Sequence, residues 1–380
     1  MIARSCKIQG VAPDEKLSPR FPSGDDAEYK GPVSSHSEMS GPRTPKLAIV
    51  IPCYNYEAFV ERAIRSVLEQ ACDDVELVIV DDGSTDGSWD VITRLDVRAF
   101  RIANSGARSA CLFGLDHTSA PFVLFLDADD ELKPGALRTI ISRLDPNVAK
   151  LQFPLTKIDA AGEIISEVHP TLDAFRSRRT LALQVLRAGV YRSPPTSGNV
   201  FRRDVCELLR EAVYDNFVDG VILFAAPFLG DIVSISEPLG RYRVHDRNDS
   251  GIGGLPEPSL FERDMKRFVA RMEHLRTIVR KFRPDRELAD PRAVFYFREL
   301  TFCHAVASGR RPPLTALPGL LYKLFGEYSS ARRKIVMAIF FSLASLLPND
   351  RAKALLAYRF RAGERSISGF LKELVAPLGA

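Results

Sequence analysis

The sequence predicts an α/β fold in which a mostly parallel sheet is flanked by helices and followed by a helical C-terminal extension. Residues 47–51 form an uninterrupted apolar run that ends at Pro52, as expected for a strand buried on both faces of a sheet. Residues 59–70 then carry apolar side chains at helical spacing, and residues 75–80 form a second apolar run. A strand, a helix and a strand within about 35 residues predict a unit whose two strands are parallel.

The same pattern continues along the chain. Short helices are predicted over residues 88–95 and in a segment that ends at His117, and strands over residues 98–102 and 122–126. Three of the strands end in polar, acid-bearing loops. Because parallel strands end at the same edge of a sheet, where open α/β folds bind ligands, that edge is the predicted active site.

Composition excludes several classes of function. The chain of 380 residues is 46% apolar and 26% charged, which is typical of one or two globular domains, and its formal charge of +4 is far below that of a nucleic-acid-binding domain. Its six cysteines are scattered without a C-x-x-C pair, which indicates reduced thiols in a cytosolic compartment. Neither a G-x-G-x-x-G after a strand nor a G-x-x-x-x-G-K-[ST] occurs, so dinucleotide-dependent oxidoreductases and P-loop enzymes are excluded.

The chain divides into three predicted regions. Residues 1–45 are rich in Pro, Ser, Gly and acidic side chains, which predicts a disordered tail, and they lack the apolar segment of a secretory signal. Residues 46–251 hold the predicted sheet, and residues 252–380 are predicted to be mainly helical. Within the last region, residues 335–347 form an apolar run that is too short to span a bilayer and is flanked by basic residues. A core helix is the favoured interpretation, and an interfacial membrane helix is the alternative.

Two carboxylates, Asp127 and Asp129, follow the most apolar strand. Carboxylates at a turn can hold a hard divalent cation, since Mg²⁺ or Mn²⁺ takes oxygen ligands and keeps positions free for substrate phosphates. The alternative is that Asp129, Asp130 and Glu131 cap the next helix. A second acidic turn at the same edge favours the metal site.

The second acidic turn contains Asp81 and Asp82. Adjacent carboxylates repel each other unless donors satisfy them, and a base N–H or a ribose hydroxyl could be such a donor. The alternative is an Asx or capping turn in which Asp86 starts the next helix. Tyr54, at the end of the first strand, could offer a flat face to a nucleobase, although a tyrosine there more often packs.

Taken together, three motifs resemble those of glycosyltransferase family 2. They are Ile51-Pro-Cys-Tyr-Asn55, Val80-Asp-Asp-Gly-Ser-Thr-Asp86 and Phe125-Leu-Asp-Ala-Asp-Asp130, in the order and approximate spacing of the family. The resemblance covers about residues 46–251. It implies the Rossmann-like GT-A fold for this domain and inverting transfer of a sugar from a nucleotide donor.

The resemblance also implies roles for individual residues. Tyr54 would stack on uracil or another base, Asp82 would accept a hydrogen bond from the base, and Asp127 would contact the ribose. Asp129 would bind the Mg²⁺ or Mn²⁺ that bridges the donor diphosphate. The residues predicted to bind the donor are Pro52, Tyr54, Asn55, Asp81, Asp82, Asp127 and Arg243.

Two later segments resemble further motifs of the family. The first would supply the general base for the acceptor hydroxyl: Asp219 matches the second acid of the family's acidic pair, while Val218 replaces the first, and the alternative for Asp219 is a helix cap. The second, residues 242–245, resembles the family's Y-R-x-H segment. Arg243 would pair with a donor phosphate, and His245 would be a metal or phosphate ligand rather than a surface histidine.

One departure from the family pattern concerns the helix after Asn104-Ser-Gly106. Where the family has an Arg-Asn pair, this chain has Cys111 and Leu112. Arg108, one turn earlier, could substitute, although an exposed helix arginine is the simpler interpretation. The departure motivates a competing hypothesis, a catalytically decayed nucleotide-sugar-binding or scaffold protein.

The sequence therefore predicts a metal-dependent inverting hexosyltransferase that uses a UDP-sugar or another nucleotide sugar. Its acceptor is predicted to be a saccharide or a lipid-linked saccharide in cell-envelope or exopolysaccharide synthesis, and no nucleic-acid partner is expected. Reaction would be a single in-line displacement at the anomeric carbon. The predicted location is the cytoplasm, with peripheral contact to the inner face of the membrane through the C-terminal helices as an open alternative.

Overall fold

The computed structural model describes residues 27–31, 44–70, 72–214, 216, 218, 220–245 and 257–360. Strands in this part of the chain are β1 (Glu28–Lys30), β2 (Leu47–Cys53), β3 (Val75–Asp81), β4 (Arg98–Arg101), β5 (Phe122–Phe125), β6 (Glu131–Leu132), β7 (Val148–Gln152), β8 (Leu155–Ile158), β9 (Ile164–His169), β10 (Phe175–Ser177), β11 (Asn199–Arg202), β12 (Asp231–Ser234) and β13 (Gly240–Arg243). Helices are α1 (Val60–Leu68), α2 (Ser88–Thr93), α3 (Ala107–Asp116), α4 (Ala136–Ile141), α5 (Arg179–Ala188), α6 (Arg203–Cys206), α7 (Val221–Leu229), α8 (Pro258–Phe282), α9 (Phe295–Ala307), α10 (Leu317–Phe325), α11 (Ala331–Leu346) and α12 (Asn349–Phe360).

The larger sheet has nine strands in the order β1-β4-β3-β2-β5-β11-β7-β12-β10. Strands β4, β3, β2 and β5 are parallel neighbours, so the predicted parallel core is confirmed. Because these strands run in the same direction, the loops that follow β2, β3 and β5 all leave the sheet at its carboxyl edge. The three acid-bearing or polar loops of the sequence motifs are thereby brought together.

Both faces of this sheet are buried, which explains why its strands are continuously apolar. Leu47, Ile49 and Ile51 of β2 point toward the face covered by α1, α2 and α4. Ala48 and Val50 point toward the opposite face, which α3, α7 and α8 cover. Alternation of side chains along a strand distributes one apolar run between two cores.

Beyond β5 the sheet differs from the mostly parallel sheet that was predicted, because it is mixed. Strand β11 is antiparallel to both β5 and β7, whereas β12 is parallel to β7 and β10 is antiparallel to β12. The strand–helix–strand repeat that produces parallel neighbours ends after β5, since β6 to β10 follow one another with only the short helix α4 among them. The α/β class and the helical layers are confirmed.

A second, four-stranded sheet lies next to the acidic turn after β5. Its order is β6-β13-β8-β9, and β6 begins at Glu131, directly after that turn. Strand β13 pairs with β6 through Gly240 and Arg241. The segment that begins with Tyr242 is therefore carried to the edge of the candidate site.

The region predicted to be a disordered tail contains a short strand. Strand β1 pairs antiparallel with the edge strand β4, and the ring of Tyr29 lies 5.0 Å from that of Phe100. The open edge of β4 and an aromatic contact give this segment partners that its composition did not indicate. Residues 1–26 and 32–43 lie outside the described residues.

The C-terminal part of the chain is helical from Pro258 to Phe360, apart from short connections. Helix α8 packs against α7, which covers one face of the larger sheet. Helices α9 to α12 enclose a separate apolar cluster around Phe302, Phe340 and Phe341. None of the helices in the described residues is long and apolar enough to cross a membrane. The predicted boundaries at residues 45 and 251 stay predictions.

Candidate active site

The loops after β2 and β3 are fastened to each other by Asn55. Its backbone lies in the left-handed region, with φ of 61°, which asparagine tolerates better than most residues. Its Oδ1 accepts hydrogen bonds from the backbone N–H of Thr85 at 2.8 Å and of Asp86 at 3.3 Å, and its own N–H donates to Ser84 Oγ at 2.9 Å. Asn55 therefore holds the loop geometry, which differs from the direct donor contact that the resemblance implies.

The side chain of Tyr54 is 44% exposed at the end of β2. It is preceded by Pro52 and the buried Cys53, which complete the strand. An aromatic ring next to a fastened loop has a surface free for stacking. Tyr54 is the one aromatic residue among the predicted donor-binding residues, and its exposure leaves the ring accessible at this edge.

Two carboxylates lie at the end of β3, and both accept hydrogen bonds from the protein. Asp82 Oδ1 accepts from the backbone N–H of Ser105 at 2.7 Å and Oδ2 from that of Gly106 at 2.8 Å. Asp81 accepts from the Ser84 N–H and forms an ion pair with Arg101 at 3.3 Å. Asp81 Oδ1, by contrast, is buried and has no hydrogen-bond partner among the described residues. The protein therefore supplies donors to both oxygens of Asp82 but to only one oxygen of Asp81. Each oxygen of Asp82 can still accept a second hydrogen bond.

Burial changes the titration of both acids. It raises the pKa of the Asp81 carboxyl and of the Asp82 carboxyl above their ordinary values, although the hydrogen bonds to each oppose the shift. Gly106 adopts φ of +88°, so it lies in the region that favours glycine. Its conformation directs its N–H toward Asp82, and the Asn-Ser-Gly segment thereby serves as the anchor of this carboxylate.

The acidic turn after β5 is compact and internally hydrogen-bonded. The N–H of Asp130 donates to Asp127 O at 3.0 Å, and the N–H of Asp127 donates to Ser197 Oγ at 3.1 Å. Asp129 is mostly buried and Asp130 is fully buried. Burial, together with the neighbouring carboxylates, holds the pKa of Asp130 well above its usual range.

The capping alternative for this turn is wrong. Helix α4 begins at Ala136, its N-cap is Gly135, and no side chain accepts a hydrogen bond at that end. Glu131 instead lies in β6, where it forms ion pairs with arginines of β13. The carboxylates of the turn are therefore not used to start a helix. Asp86 does accept from the N–H of Ser88 at 2.9 Å, as the Asx-turn interpretation of the other loop predicts.

His245 meets Asp129 at the centre of the site. Its Nε2 lies 2.9 Å from Asp129 Oδ2, and both side chains are 7% exposed. The imidazole stacks on the ring of Phe59, with centroids 4.9 Å apart and an interplanar angle of 21°, and Tyr56 meets it edge-on at 6.1 Å. The surface-histidine alternative is wrong. The chain builds a carboxylate–imidazole pair held between aromatic rings.

Arg243 lies beneath the turn, with its guanidinium fully buried. Nε donates to Asp129 O at 3.0 Å, Nη1 donates to Asp159 O at 3.1 Å, and Nη2 pairs with Glu131. Its backbone N–H donates to Asp130 Oδ1 at 2.9 Å. This placement differs from the phosphate contact that the resemblance implies, because the guanidinium faces the interior and anchors the acidic turn.

Ser197 is a site residue that the sequence did not reveal. The segment around it is held by a buried network: Lys150 Nζ donates to Ser193 Oγ at 2.7 Å, Ser193 Oγ donates to Asn199 Oδ1 at 3.0 Å, and Asn199 Nδ2 donates to Pro195 O at 2.7 Å. A lysine inside an apolar strand was the sequence signal for this network. Phe59, which looked like an ordinary helix residue, carried no such signal.

The two residues of α3 that depart from the family pattern lie in the protein interior and not on its surface. Cys111 and Leu112 are both buried in the core. Arg108 is only 6% exposed, and its Nη1 donates to Leu209 O at 3.1 Å, so the exposed-arginine interpretation is wrong. Its Nε has no hydrogen-bond partner among the described residues.

The predicted general base, Asp219, lies outside the described residues. Two neighbours in the same segment are described. Asn216 O accepts a hydrogen bond from the N–H of Arg108 at 3.0 Å, and Val218 is buried. Asn216 also lies beside Gly106, whose N–H donates to Asp82. This segment therefore approaches the Asp82 side of the site.

The residues around this site match a known family. A family model described as "Glycosyl transferase family 2" matches residues 48–207, which include both acidic turns. The chain belongs to glycosyl transferase family 2 over these residues. The resemblance expected from the three motifs is confirmed.

Two curated glycosyltransferases are similar to this chain over part of its length. An uncharacterized glycosyltransferase of Nostoc sp. is 35% identical over 215 residues, which cover 54% of this chain and 66% of the relative. The GalNAc(5)-diNAcBac-PP-undecaprenol beta-1,3-glucosyltransferase of Campylobacter jejuni is 33% identical over 130 residues, which cover 32% of this chain and 42% of that enzyme. The matches thus span less than two thirds of either relative.

Among solved structures, TarS of S. aureus in complex with UDP-GlcNAc aligns with a TM-score of 0.45 at 15% identity, covering 82% of this chain and 86% of the other. A mannosyltransferase of Pyrobaculum calidifontis in complex with GDP-Man and Mn²⁺ aligns with a TM-score of 0.42 at 17% identity, covering 88% of each chain. The family assignment rests on the sequence match and not on these two structures.

Proposed function

We propose that this protein is an inverting glycosyltransferase that transfers a sugar from a nucleotide-sugar donor to a saccharide or lipid-linked saccharide. The observation that carries the proposal is the Asp129–His245 pair, in which Asp129 belongs to the acidic turn after β5 within the matched residues 48–207. Relatives of the chain are named glycosyltransferases, which supports the same reaction class.

The donor nucleotide would lie between Tyr54 and Asp82. The exposed ring of Tyr54 offers a stacking face, and the Asp82 carboxylate, already aimed by the N–H groups of Ser105 and Gly106, keeps lone pairs for the N–H of a base. Asp127 would accept from ribose hydroxyls. A uracil base suits this arrangement, because its N3–H is a donor that a fixed carboxylate can accept.

Asp129 and His245 would hold Mg²⁺ or Mn²⁺. One carboxylate oxygen and one imidazole nitrogen at hydrogen-bond distance form a donor set that suits Mn²⁺, and such ions keep several positions for water and substrate phosphates. Among the described residues no group of three or more His, Cys, Asp or Glu side chains surrounds a common point. When bound, the metal supplies positive charge to the departing diphosphate.

The chain's own residues would orient the reaction. Arg243 and Ser197 fix the turn that carries Asp127 and Asp129, so the carboxylates need not reorganise as the donor binds. Asp219 would remove the proton of the acceptor hydroxyl, which attacks the anomeric carbon in line with the leaving diphosphate. Inversion of configuration follows from a single displacement.

The proposed acceptor class follows from the name of one relative. The Campylobacter relative is named as acting on an undecaprenol-linked saccharide, and a lipid-linked acceptor of cell-envelope or exopolysaccharide synthesis is the class we propose here. We propose a cytoplasmic location, because the six cysteines of the sequence are scattered without a C-x-x-C pair.

A donor screen tests the proposed function. Purified full-length protein is incubated with UDP-, GDP- and dTDP-sugars, with Mn²⁺ or with a chelator, and with a lipid extract as acceptor, and products are detected by mass spectrometry. The proposal predicts metal-dependent turnover of one donor. Tight binding of a nucleotide sugar without turnover of any donor would favour the decayed binder instead.

A further inference from the structure

Helix α11 exposes several aliphatic side chains on the face that points away from the protein, and Ser342 is the polar residue among them. Its inner face carries Met337, Phe340, Phe341 and Ala344, which are buried in the C-terminal cluster. On the opposite face the side chains of Ile335, Ile339 and Leu346 are 53%, 48% and 64% exposed.

These three exposed residues follow the spacing i, i+4 and i+11, which places them on one stripe of a helix. No charged residue occurs between positions 335 and 347. A surface helix ordinarily carries polar and charged residues on its outer face, and a helix that is apolar all round is ordinarily covered. The outer stripe of α11 therefore indicates a surface that meets an apolar partner.

Aromatic side chains extend this surface. Tyr322 and Phe325 of α10 and Tyr328 of the following turn are exposed. Lys334 Nζ donates to Phe325 O at 2.9 Å, so the end of α10 lies beside the start of α11. Tyrosine is suited to a boundary where one side is apolar and the other is wet.

Basic residues flank the stripe at both ends. Arg332, Arg333 and Lys334 occupy the first turn of α11, and Arg351 and Lys353 follow it in α12. The acidic residues nearby in sequence are Glu327 and Asp350, so positive charge prevails at this surface.

We propose that the outer face of α11, with the aromatic residues at its start, docks on an anionic lipid bilayer surface. Aliphatic and aromatic side chains would enter the interface, and the flanking bases would meet lipid phosphates. With 16 residues the helix is about 24 Å long, shorter than the hydrocarbon core, so it would lie in the interface and not cross it. A second copy is a poorer occupant, because a two-fold pairing of this helix would bring basic ends together.

The docking goes beyond the proposed function, since it does not require the transfer reaction. It would hold the protein at a surface on which lipid-linked acceptors are available. The partner it selects is an anionic headgroup layer and not the acceptor itself.

Vesicle flotation of the full-length protein tests the docking. Vesicles of phosphatidylcholine alone are compared with vesicles that also contain phosphatidylglycerol. We expect binding only to the anionic vesicles. Replacing the stripe (Ile335→Ser, Ile339→Ser, Leu346→Ser) should reduce the partition coefficient by more than about tenfold, because three apolar side chains no longer enter the interface.

Two further variants separate charge from apolar contact. Arg332→Gln with Arg333→Gln should lower binding by about fivefold for each base removed, and Arg94→Gln with Arg138→Gln should leave it unchanged. The matched control for the stripe replaces exposed apolar residues elsewhere, Ile164→Ser, Leu183→Ser and Val213→Ser. Melting curves and donor turnover are recorded for every variant, so a folding defect is recognised independently of binding.

Several results would overturn the proposal. They are failure of the wild type to float with anionic vesicles, equal binding to both vesicle types, and unchanged binding of the stripe variant. A wild-type dimer that the stripe variant converts to a monomer, without vesicle binding, would identify a second copy as the occupant. If only a variant truncated after Phe360 bound the vesicles, residues 361–380 would be identified as the segment that covers this face.

Discussion

Replacing Phe59 by alanine tests whether the aromatic contact positions His245. The ring stacks on the imidazole at 4.9 Å and lies 5.2 Å from the guanidinium carbon of Arg243. A fully buried Phe→Ala change costs about 3–5 kcal/mol, so the half-buried Phe59 should cost about 2 kcal/mol of unfolding free energy. Of this, ~1 kcal/mol belongs to the ring–ring contact.

The substitution should also change the metal dependence of the reaction. A histidine ligand that loses its orienting neighbour typically weakens metal binding by about 10–100-fold. We therefore expect the Mn²⁺ concentration for half-maximal donor turnover to rise by that factor in Phe59→Ala. Phe59→Leu keeps apolar volume but not the ring, and it should recover stability more than metal affinity.

The assay is a Mn²⁺ titration of donor turnover, with thermal unfolding measured on the same samples. Phe175→Ala, at another half-buried phenylalanine far from the acidic turns, is the matched control. An unchanged Mn²⁺ dependence in Phe59→Ala, together with the expected loss of stability, would refute the positioning role. An equal shift in the Phe175 variant would refute its specificity.

Two other substitutions probe the hydrogen bonds that hold the carboxylates. Asp82→Asn places an amide N–H against the N–H of Ser105 or Gly106, so the protein should lose about 1–3 kcal/mol of unfolding free energy. We also expect UDP to bind at least about tenfold more weakly when measured by calorimetry. Equal UDP affinity would exclude Asp82 from donor recognition. Ser197→Ala removes the acceptor for the Asp127 N–H, which should cost about 1–2 kcal/mol in unfolding and lower the turnover rate with little change in donor affinity. A variant with wild-type turnover would show that the turn keeps its geometry without this contact.

Much of the fold followed from local patterns. The apolar runs of β2, β3 and β5 and the helical spacing of α1 were visible because the side-chain period of each element repeats within a few residues. The mixed half of the sheet was not visible. Strand β11 joins β5 and β7 from a distant part of the chain, and pairing across such a distance leaves no local period.

The candidate site also combines residues that local patterns predict with residues that distant contacts supply. Carboxylates at strand ends were predicted from position alone, and the structure brings Asp82, Asp127 and Asp129 to one edge. Their supports come from far along the chain, since Ser197 lies 70 residues from Asp127 and His245 lies 116 residues from Asp129. Such contacts depend on tertiary packing and not on spacing.

Asn55 and Arg243 show why residue type alone misleads. A planar guanidinium is well suited to phosphate, but this one is satisfied by the carbonyls of Asp129 and Asp159 and by a carboxylate. Asn55, in a motif that resembles a donor-binding one, uses its amide oxygen to join two loops. In both cases burial decides which partners the side chain has.

Donor turnover by Asp129→Asn is the most direct test of the proposed function. Wild type, Asp129→Asn and the exposed control Asp90→Asn are assayed with the preferred nucleotide sugar at saturating Mn²⁺. We expect the Asp129 variant to lose at least about 100-fold in rate while Asp90→Asn keeps the wild-type rate, because an amide cannot replace the charged oxygen ligand. Full activity of Asp129→Asn at saturating Mn²⁺ would contradict the account.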